Sequence, residues 1–365
     1  MNSGSANITG SILLYRLYDV SYENDLARVE RMAGGTSRLR IERKRFSKAF
    51  EFSNPPVSIR LESFRKIIGG REMNINAYAK LYDYGAASII FELQLDDIPH
   101  SELVLLAQQI RMDPPLEAEF RAELQRLQLT LSDCMKGSGA PGIEEDYTVY
   151  LVRDTSPPMS GRDLLSHLDM SGLMYEEEGE PPPGADTLKD LLSLSFSYSD
   201  NDLTLISWDN ALVFERGAGM DIPDLLEFAN AQLLELRVYD QMLDRELDSI
   251  HSIMGENTRI PIWRAKRHRR LAARVMRTIS ELTEITERID NSLKVTDDVY
   301  YARIYSAAVN LFRVKDWEVS IRRKLDLASR VYTMLNQEIS SRRSEILEGI
   351  IILLIALEIL IFLLN

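Results

Sequence analysis

Cysteine is nearly absent: Cys134 is the single one in 365 residues. One thiol forms no intrachain disulfide, and a cysteine-only zinc site is excluded, which fits a reducing compartment. Histidine is scarce as well. His100, His167, His251 and His268 are scattered, with no i, i+4 pair and no HExxH, so they form no metal-ligand pattern. Positive charge is in deficit, at a formal net −13, which argues against general nucleic-acid binding and specific DNA binding. Phosphate-cradling loops are missing too: Gly34-Gly35 and Gly69-Gly70 are isolated pairs with no following Lys-Ser/Thr. Ser138 and Ser160 lack the strand–Gly-x-Ser-x-Gly–helix setting of a nucleophile elbow. The opening MNSGSANITG carries neither a secretory h-region nor an arginine-rich amphipathic stretch, so the bulk of the chain is expected in the cytosol. With no catalytic constellation, the expectation is a non-enzymatic protein that uses no cofactor and no metal.

What the chain does have is a C-terminal apolar run. From Gly349 to Leu364, thirteen of sixteen residues are Ile, Leu or Phe, and Glu358 is the only polar one. As a helix that run spans roughly 24 Å, and about 28 Å from Ile346, against a hydrocarbon core of about 30 Å. The central charge costs about 3 kcal/mol, which the apolar residues together outweigh. The alternative is a buried core or oligomer helix. The terminal position and the lack of polar alternation favour a single-pass anchor at 345–365, carried by Ile346, Gly349, Leu353, Ala356 and Glu358. Arg342 and Arg343 precede the run, so the N-terminal bulk is expected on the cytoplasmic side. Glu358 then serves either at a subunit interface, in its neutral form, or by reaching the far interface.

The region feeding the tail is helical. Leu325, Ala328, Tyr332, Leu335 and Ile339 recur at 3–4 spacing and form a heptad-like seam expected to drive self-association. Two further long helices precede it, one from about Asp224 and one from about Trp263 to Ser292. A third runs from about Asp297 to the end, with a break expected near Trp317. Residues 223–344 are thus expected to be a helical bundle or stalk. The second helix opens with Arg264, Lys266, Arg267, Arg269 and Arg270. This basic cluster is a candidate contact for anionic lipid or RNA backbone, or a partner for the acidic DQMLDRELD stretch of the preceding helix.

The N-terminal half reads as α+β. Residues 11–20 suit a strand, Asn24 to Met32 a helix, 75–95 two strands around an Asp83-Tyr84-Gly85 turn, and Pro99 to Arg111 a helix. A similar order follows from Tyr147 onward: a strand to Arg153, a short helix from Arg162 to Leu168, then strands and the helix after Pro223. Ile90-Phe91-Glu92 matches Val213-Phe214-Glu215, and Asp97-Ile98-Pro99 matches Asp221-Ile222-Pro223. These matches suggest a duplicated βαββα unit, at 1–135 and 136–222, paired into one sheet domain. KGSGAPG (136–142) reads as a linker, and EEEGEPPPG lies in an acidic, Pro-rich loop over 174–184.

The C-terminal third resembles the "required for meiotic nuclear division" family, one of unknown function with mitochondrial and microbial members. The resemblance rests on Arg330, Leu335-Asn336, the run Arg343-Ser344-Glu345-Ile346-Leu347-Glu348, and the apolar segment that contains Glu358. It covers roughly 75–365 and is strongest from 300 onward. It implies an oligomeric inner-membrane protein without established catalysis, whose mitochondrial members support organellar translation by anchoring ribosomes. Without a transit peptide, the chain looks like a prokaryotic member in the cytoplasmic membrane. The resulting expectation is a membrane-anchored homo-oligomeric scaffold whose partners are the bilayer and a cytosolic or ribosome-associated protein. The alternative is an oligomeric channel of the CorA kind with Glu358 at the pore. Against it, the chain has one apolar run and no Gly-Met-Asn tripeptide.

Overall fold

The computed structural model describes residues 6–35, 40–41, 50–112, 116–140, 142–175, 184–217, 219–255, 293–295 and 298–364, with 273, 276–277, 279–280 and 282–284 besides. In chain order the first elements are β1 (Asn7–Asp19), β2 (Glu23–Asn24), α1 (Leu26–Gly35), β3 (Arg40–Ile41), β4 (Phe50–Phe52), β5 (Val57–Arg60), β6 (Phe64–Ile68), β7 (Arg71–Leu81), β8 (Ala86–Pro99), α2 (His100–Met112) and α3 (Glu117–Leu131). Next come β9 (Met135–Lys136), β10 (Glu144–Ser156), α4 (Gly161–His167), α5 (Met170–Met174), α6 (Ala185–Ser193), β11 (Ser195–Phe196), β12 (Asp202–Ile206) and β13 (Asn210–Glu215). The chain closes with α7 (Asp221–Gly255), β14 (Leu293–Val295), α8 (Val299–Leu311) and α9 (Val314–Leu364). Contacts divide it into two units, Met1–Val238 with Arg288–Lys315, and Tyr239–Glu287 with Asp316–Asn365.

The first unit is built on a ten-stranded sheet in the order β11-β12-β13-β10-β1-β8-β7-β5-β3, with β6 also on β7. β1 lies at its centre, antiparallel to both β8 and β10. Its sequence is apolar on both sides of the pleat, which suits a strand covered on both faces. Ile8, Ile12, Leu14 and Tyr18 join the core on the first face, with Ile75, Ile89, Phe91, Tyr150 and Phe214. The same core takes in Leu103 and Ala107 of α2, Phe120 and Leu127 of α3, and Leu164 of α4. Leu13, Tyr15 and Leu17 alternate to the second face and are buried as well. There Tyr82 meets Phe228 of α7 with ring centroids 6.1 Å apart, and Tyr147 meets Phe312, just after α8, at 5.5 Å. The sheet is therefore layered between α1–α5 on one face and the first half of α7 with α8 on the other.

Two glycines permit close backbone approach. Gly10 sits at the bulge in β1, where a Cβ would lie 2.0 Å from the Leu151 carbonyl oxygen. Gly85 closes the expected Asp83-Tyr84-Gly85 turn at φ +111°, with a Cβ position 1.9 Å from the Ser21 carbonyl oxygen. Residues 136–140 of the KGSGAPG stretch, expected as a linker, instead pack on the end of β1. Lys136 of β9 pairs with Glu23 of β2, and the Ala140 N–H donates to Asp19 Oδ2 at 2.6 Å. Burial lifts the Asp19 carboxyl from 3.8 to about 6, against the N–H groups of Ala140 and Ser21 that donate to it. The stability tied to this carboxyl is therefore full below about pH 4 and is lost as pH rises through about 6. Asp19→Asn, which keeps an acceptor for Ala140, is expected to equal the parent near pH 4. It should exceed the parent by about 1–3 kcal/mol above pH 7. Urea midpoints across that range measure the difference, and a difference that does not vary with pH counts against it.

The two α+β stretches share one sheet, but their neighbour relations differ. β8 lies antiparallel to β1, whereas β13 lies parallel to β10. The helix after β8 covers the first face and the helix after β13 the second. The matched triplets point the same way, Phe91 and Phe214 to the first face with the flanking glutamates to the second. That alternation is common to any strand buried on both sides, so the triplets by themselves report strand periodicity. The expected boundary at 223 shifts as well, because residues 221–238 of α7 bury Leu225, Leu226, Phe228 and Ala229 within the first unit. The acidic loop falls largely on 176–183, outside the described residues.

In the second unit, α7 and α9 run parallel. Lys324 bridges Asp240 at 2.8 Å and Asp244 at 2.6 Å, Ser320 donates to Asp240 at 2.8 Å, and Leu247 packs on Ala328. The helix break expected near Trp317 lies at Phe312–Arg313, where Arg313 takes φ 54° and Phe312 is fully buried.

Candidate functional site

The polar groups buried deepest in the first unit lie on the second face of the sheet. Alternation along β7 sends Ala77, Ala79 and Leu81 to the first face and Lys80 to the second. On α7, Asp224 and Glu227 are one turn apart and so share a side of the helix. Lys80 Nζ is 3.0 Å from Asp224 Oδ1 and also bonds Glu227 Oε2, with Lys80 2%, Asp224 8% and Glu227 0% exposed. Burial alone would lower the Lys80 ammonium, but the two carboxylates hold it above its ordinary range. Burial pushes Glu227 up, with Lys80 opposing and Asp224 adding to the rise. One cation is shared by two carboxylates, so Lys80 stays charged while Glu227 is the group most readily protonated. A lysine held protonated is neither base nor nucleophile. The cluster acts as an ion lock between α7 and the sheet.

Beside it, Glu92 accepts from Ser11 at 2.9 Å, Asn76 at 3.2 Å and Tyr78 at 3.4 Å, with Arg153 at 3.9 Å. A cavity of about 150 Å³ lies against Glu92, Arg153, Tyr78, Met220 and Asp224. The Tyr15 hydroxyl is buried close by without a hydrogen-bond partner, and burial raises it well above its ordinary value. In this small recess the carboxylates of Glu92 and Asp224 are already met by donors.

The sites expected from the sequence lie elsewhere. Arg264, Lys266, Arg267, Arg269 and Arg270 fall outside the described residues. Of the seam, Ala328 is buried within the chain against Leu247, with Tyr332 packed on the pair and Leu325 half-buried. This part of the seam is thus occupied by the chain's own helix α7. Leu335, Ile339, Ile346 and Glu358 lie in α9, whose course is described while those side chains are not. Beyond them Leu347, Ile350, Leu353 and Leu354 are exposed, Leu353 by 66%, and the space around Gly349 is open. Ala356 is exposed too. No helix among the described residues is long and apolar enough to cross a membrane. Nor do those residues contain a group of three or more His, Cys, Asp or Glu placed to hold a metal ion.

Sequence reasoning missed Lys80, Asp224, Glu227, Glu92 and Arg153. The available signal was a lysine inside the apolar strand AYAKLYDYG and an Asp–Glu pair at i, i+3 in the apolar opening of α7.

No solved structure matches the chain. A protein of Methanocaldococcus jannaschii, described as "Uncharacterized protein MJ0711", is 28% identical over 232 residues, covering 62% of this chain and 68% of its own length. The family described as "Uncharacterized protein MJ0711, N-terminal domain" matches residues 9–221, from β1 to the start of α7. With more than half of its length matched, and the matched part coinciding with the sheet and the helices of its first face, the chain belongs to that family.

Proposed function

We propose that the protein is a self-associating scaffold held at a membrane by the apolar end of α9, with the sheet domain as its binding surface. The observation that carries this reading is the exposure of successive large apolar side chains there. Ile350, Ile351, Ile352, Leu353, Leu354 and Ile355 are each more than half exposed. A face of that kind on a monomer marks a contact with lipid or with another chain. Arg342 and Arg343, just before it, suit the side of a bilayer that faces the cytoplasm. The proposal includes a single transmembrane pass at 345–365 in the cytoplasmic membrane of a prokaryote, and kinship of the C-terminal third with the "required for meiotic nuclear division" family. A cytosolic or ribosome-associated protein is the partner class that goes with it.

Co-flotation with anionic vesicles tests the reading, together with the mass of the detergent-extracted protein. The full chain is expected to float and to run as a discrete oligomer, and a chain ending at Ser340 to stay in the soluble fraction. A full chain that remains soluble and monomeric would overturn it. An oligomer that survives truncation would keep the scaffold and move its assembly into the folded units.

A further inference from the structure

A second recess lies mainly on the first face of the sheet, and it is independent of the membrane reading. Its floor crosses three adjacent strands, with Leu14 of β1, Thr148 and Tyr150 of β10, and Asn210 of β13, which pairs with Thr148. Its roof comes from the end of α2 and the start of α3, through Ile110, Leu116 and Phe120. The enclosed volume is about 160 Å³, too small for a drug-sized ligand and large enough for a single ring system.

Asn210 gives the recess its polarity. It is 2% exposed, and its Nδ2 donates to the Met174 carbonyl at 3.0 Å and to Asp209 Oδ1 at 2.9 Å. Both amide hydrogens are therefore used on atoms that only accept, which fixes the orientation of the amide. Oδ1 is left buried with no donor. An orphaned acceptor of this kind costs about 1–3 kcal/mol and is rare in folded proteins. The Tyr150 hydroxyl accepts from Arg111 at 3.3 Å, and its own hydrogen remains to donate. Diagonal neighbours on adjacent strands lie within reach of one small molecule. The floor thus offers one acceptor and one donor, the complement of an N–H beside a C=O or ring nitrogen.

Charge and shape narrow the occupant further. The Arg16 guanidinium at the rim is met by Glu117 at 3.4 Å and Asp146 at 3.2 Å, and lies 5.9 Å from the centre of the Phe120 ring. The lining as a whole pairs two guanidiniums, Arg16 and Arg111, with two carboxylates, Asp146 and Asp209, so a neutral ligand is favoured. Phe120, Leu116 and Ile110 supply an aromatic and aliphatic cover suited to a flat ring.

We infer that this recess binds a nucleobase or a similar flat cyclic amide, its N–H on Asn210 Oδ1, its acceptor toward Tyr150, and its face against Phe120. Titration of the full chain with adenine, uracil and cytosine, followed by calorimetry and ligand-observed NMR, tests this, with toluene as the apolar ring control. At least one base is expected to saturate a single site. Leu116→Trp, which fills the roof without touching Asn210, is expected to abolish binding. Tyr150→Phe, which keeps the ring and removes the donor, is expected to weaken it about tenfold. Circular dichroism of each variant separates loss of binding from loss of fold. Three results would overturn the inference: no base saturates, so that Asn210 is met by an ordered water only; toluene binds as well as the bases; or both variants bind like the parent while folded.

Discussion

Lys80→Ala is expected to remove about 3–5 kcal/mol of folding stability, a large share of what a domain ordinarily has. The reason is asymmetry. In the parent, one ammonium inside the fold meets both Asp224 and Glu227. Without it, two buried carboxylates lose the ammonium that they share, and removing one partner costs far more than the net worth of the pair. The deficit should shrink as the solution is acidified toward pH 4–5, because Glu227, already raised by burial, takes up a proton most readily. Replacing all three residues with apolar side chains of similar volume is expected to be close to neutral, since that also removes the desolvated charges. Urea unfolding of the single and triple variants at pH 5 and pH 7.5 measures the effect. A single-variant loss below about 1 kcal/mol would mean that the cluster is not a lock.

Phe91→Ala should cost about 3–5 kcal/mol. Phe91 is fully buried at the centre of the first face. Its ring lies 4.1 Å from that of Phe120 and 5.3 Å, edge-on, from that of Phe64. Truncation leaves a void lined by rings held on different elements, β6 and α3, which collapse poorly into it. Phe91→Leu should lose much less because it keeps most of the volume. Phe120 also roofs the recess of the first face, so the alanine variant should bind a nucleobase more weakly there while the leucine variant retains it. Equal losses for the two variants, read from urea midpoints, would place the cost in the aromatic contacts and not in the void.

Much of the secondary structure was legible because it is set by short-range chemistry. The β7–β8 hairpin follows from apolar runs flanking Asp83-Tyr84-Gly85, where only glycine suits φ +111° against the Ser21 carbonyl. The helix α4 begins at Ser160, whose hydroxyl and backbone N–H exchange hydrogen bonds with Asp163 in a capping box. The helix α3 was missed although Phe120, Leu124, Leu127 and Leu131 stand at i, i+4, i+7 and i+11, the spacing of an amphipathic helix, and form the stripe that meets the core.

Strand direction was not legible. The triplets Ile90-Phe91-Glu92 and Val213-Phe214-Glu215 look alike because burial on both faces imposes the same alternation, whichever way a strand runs. Whether β13 lies parallel or antiparallel to β10 is decided by the path of residues 157–209 and by which face α7 covers. The same holds for Lys80. Its place inside the apolar AYAKLYDYG hints at burial, but nothing nearby in the chain names its partners, which lie 144 and 147 residues away.

By itself the sequence determined most of the local elements, the scarcity of cysteine and histidine, and the apolar end of α9, because these depend on residue type and on spacings of a few residues. Only the tertiary structure decided that Ala328 is covered by Leu247 of the same chain, that α7 is locked to the sheet through Lys80, and that Asn210 is left with an empty acceptor. Each of these is a meeting of residues far apart in sequence, and which residues meet depends on strand order and helix placement, which no local pattern encodes.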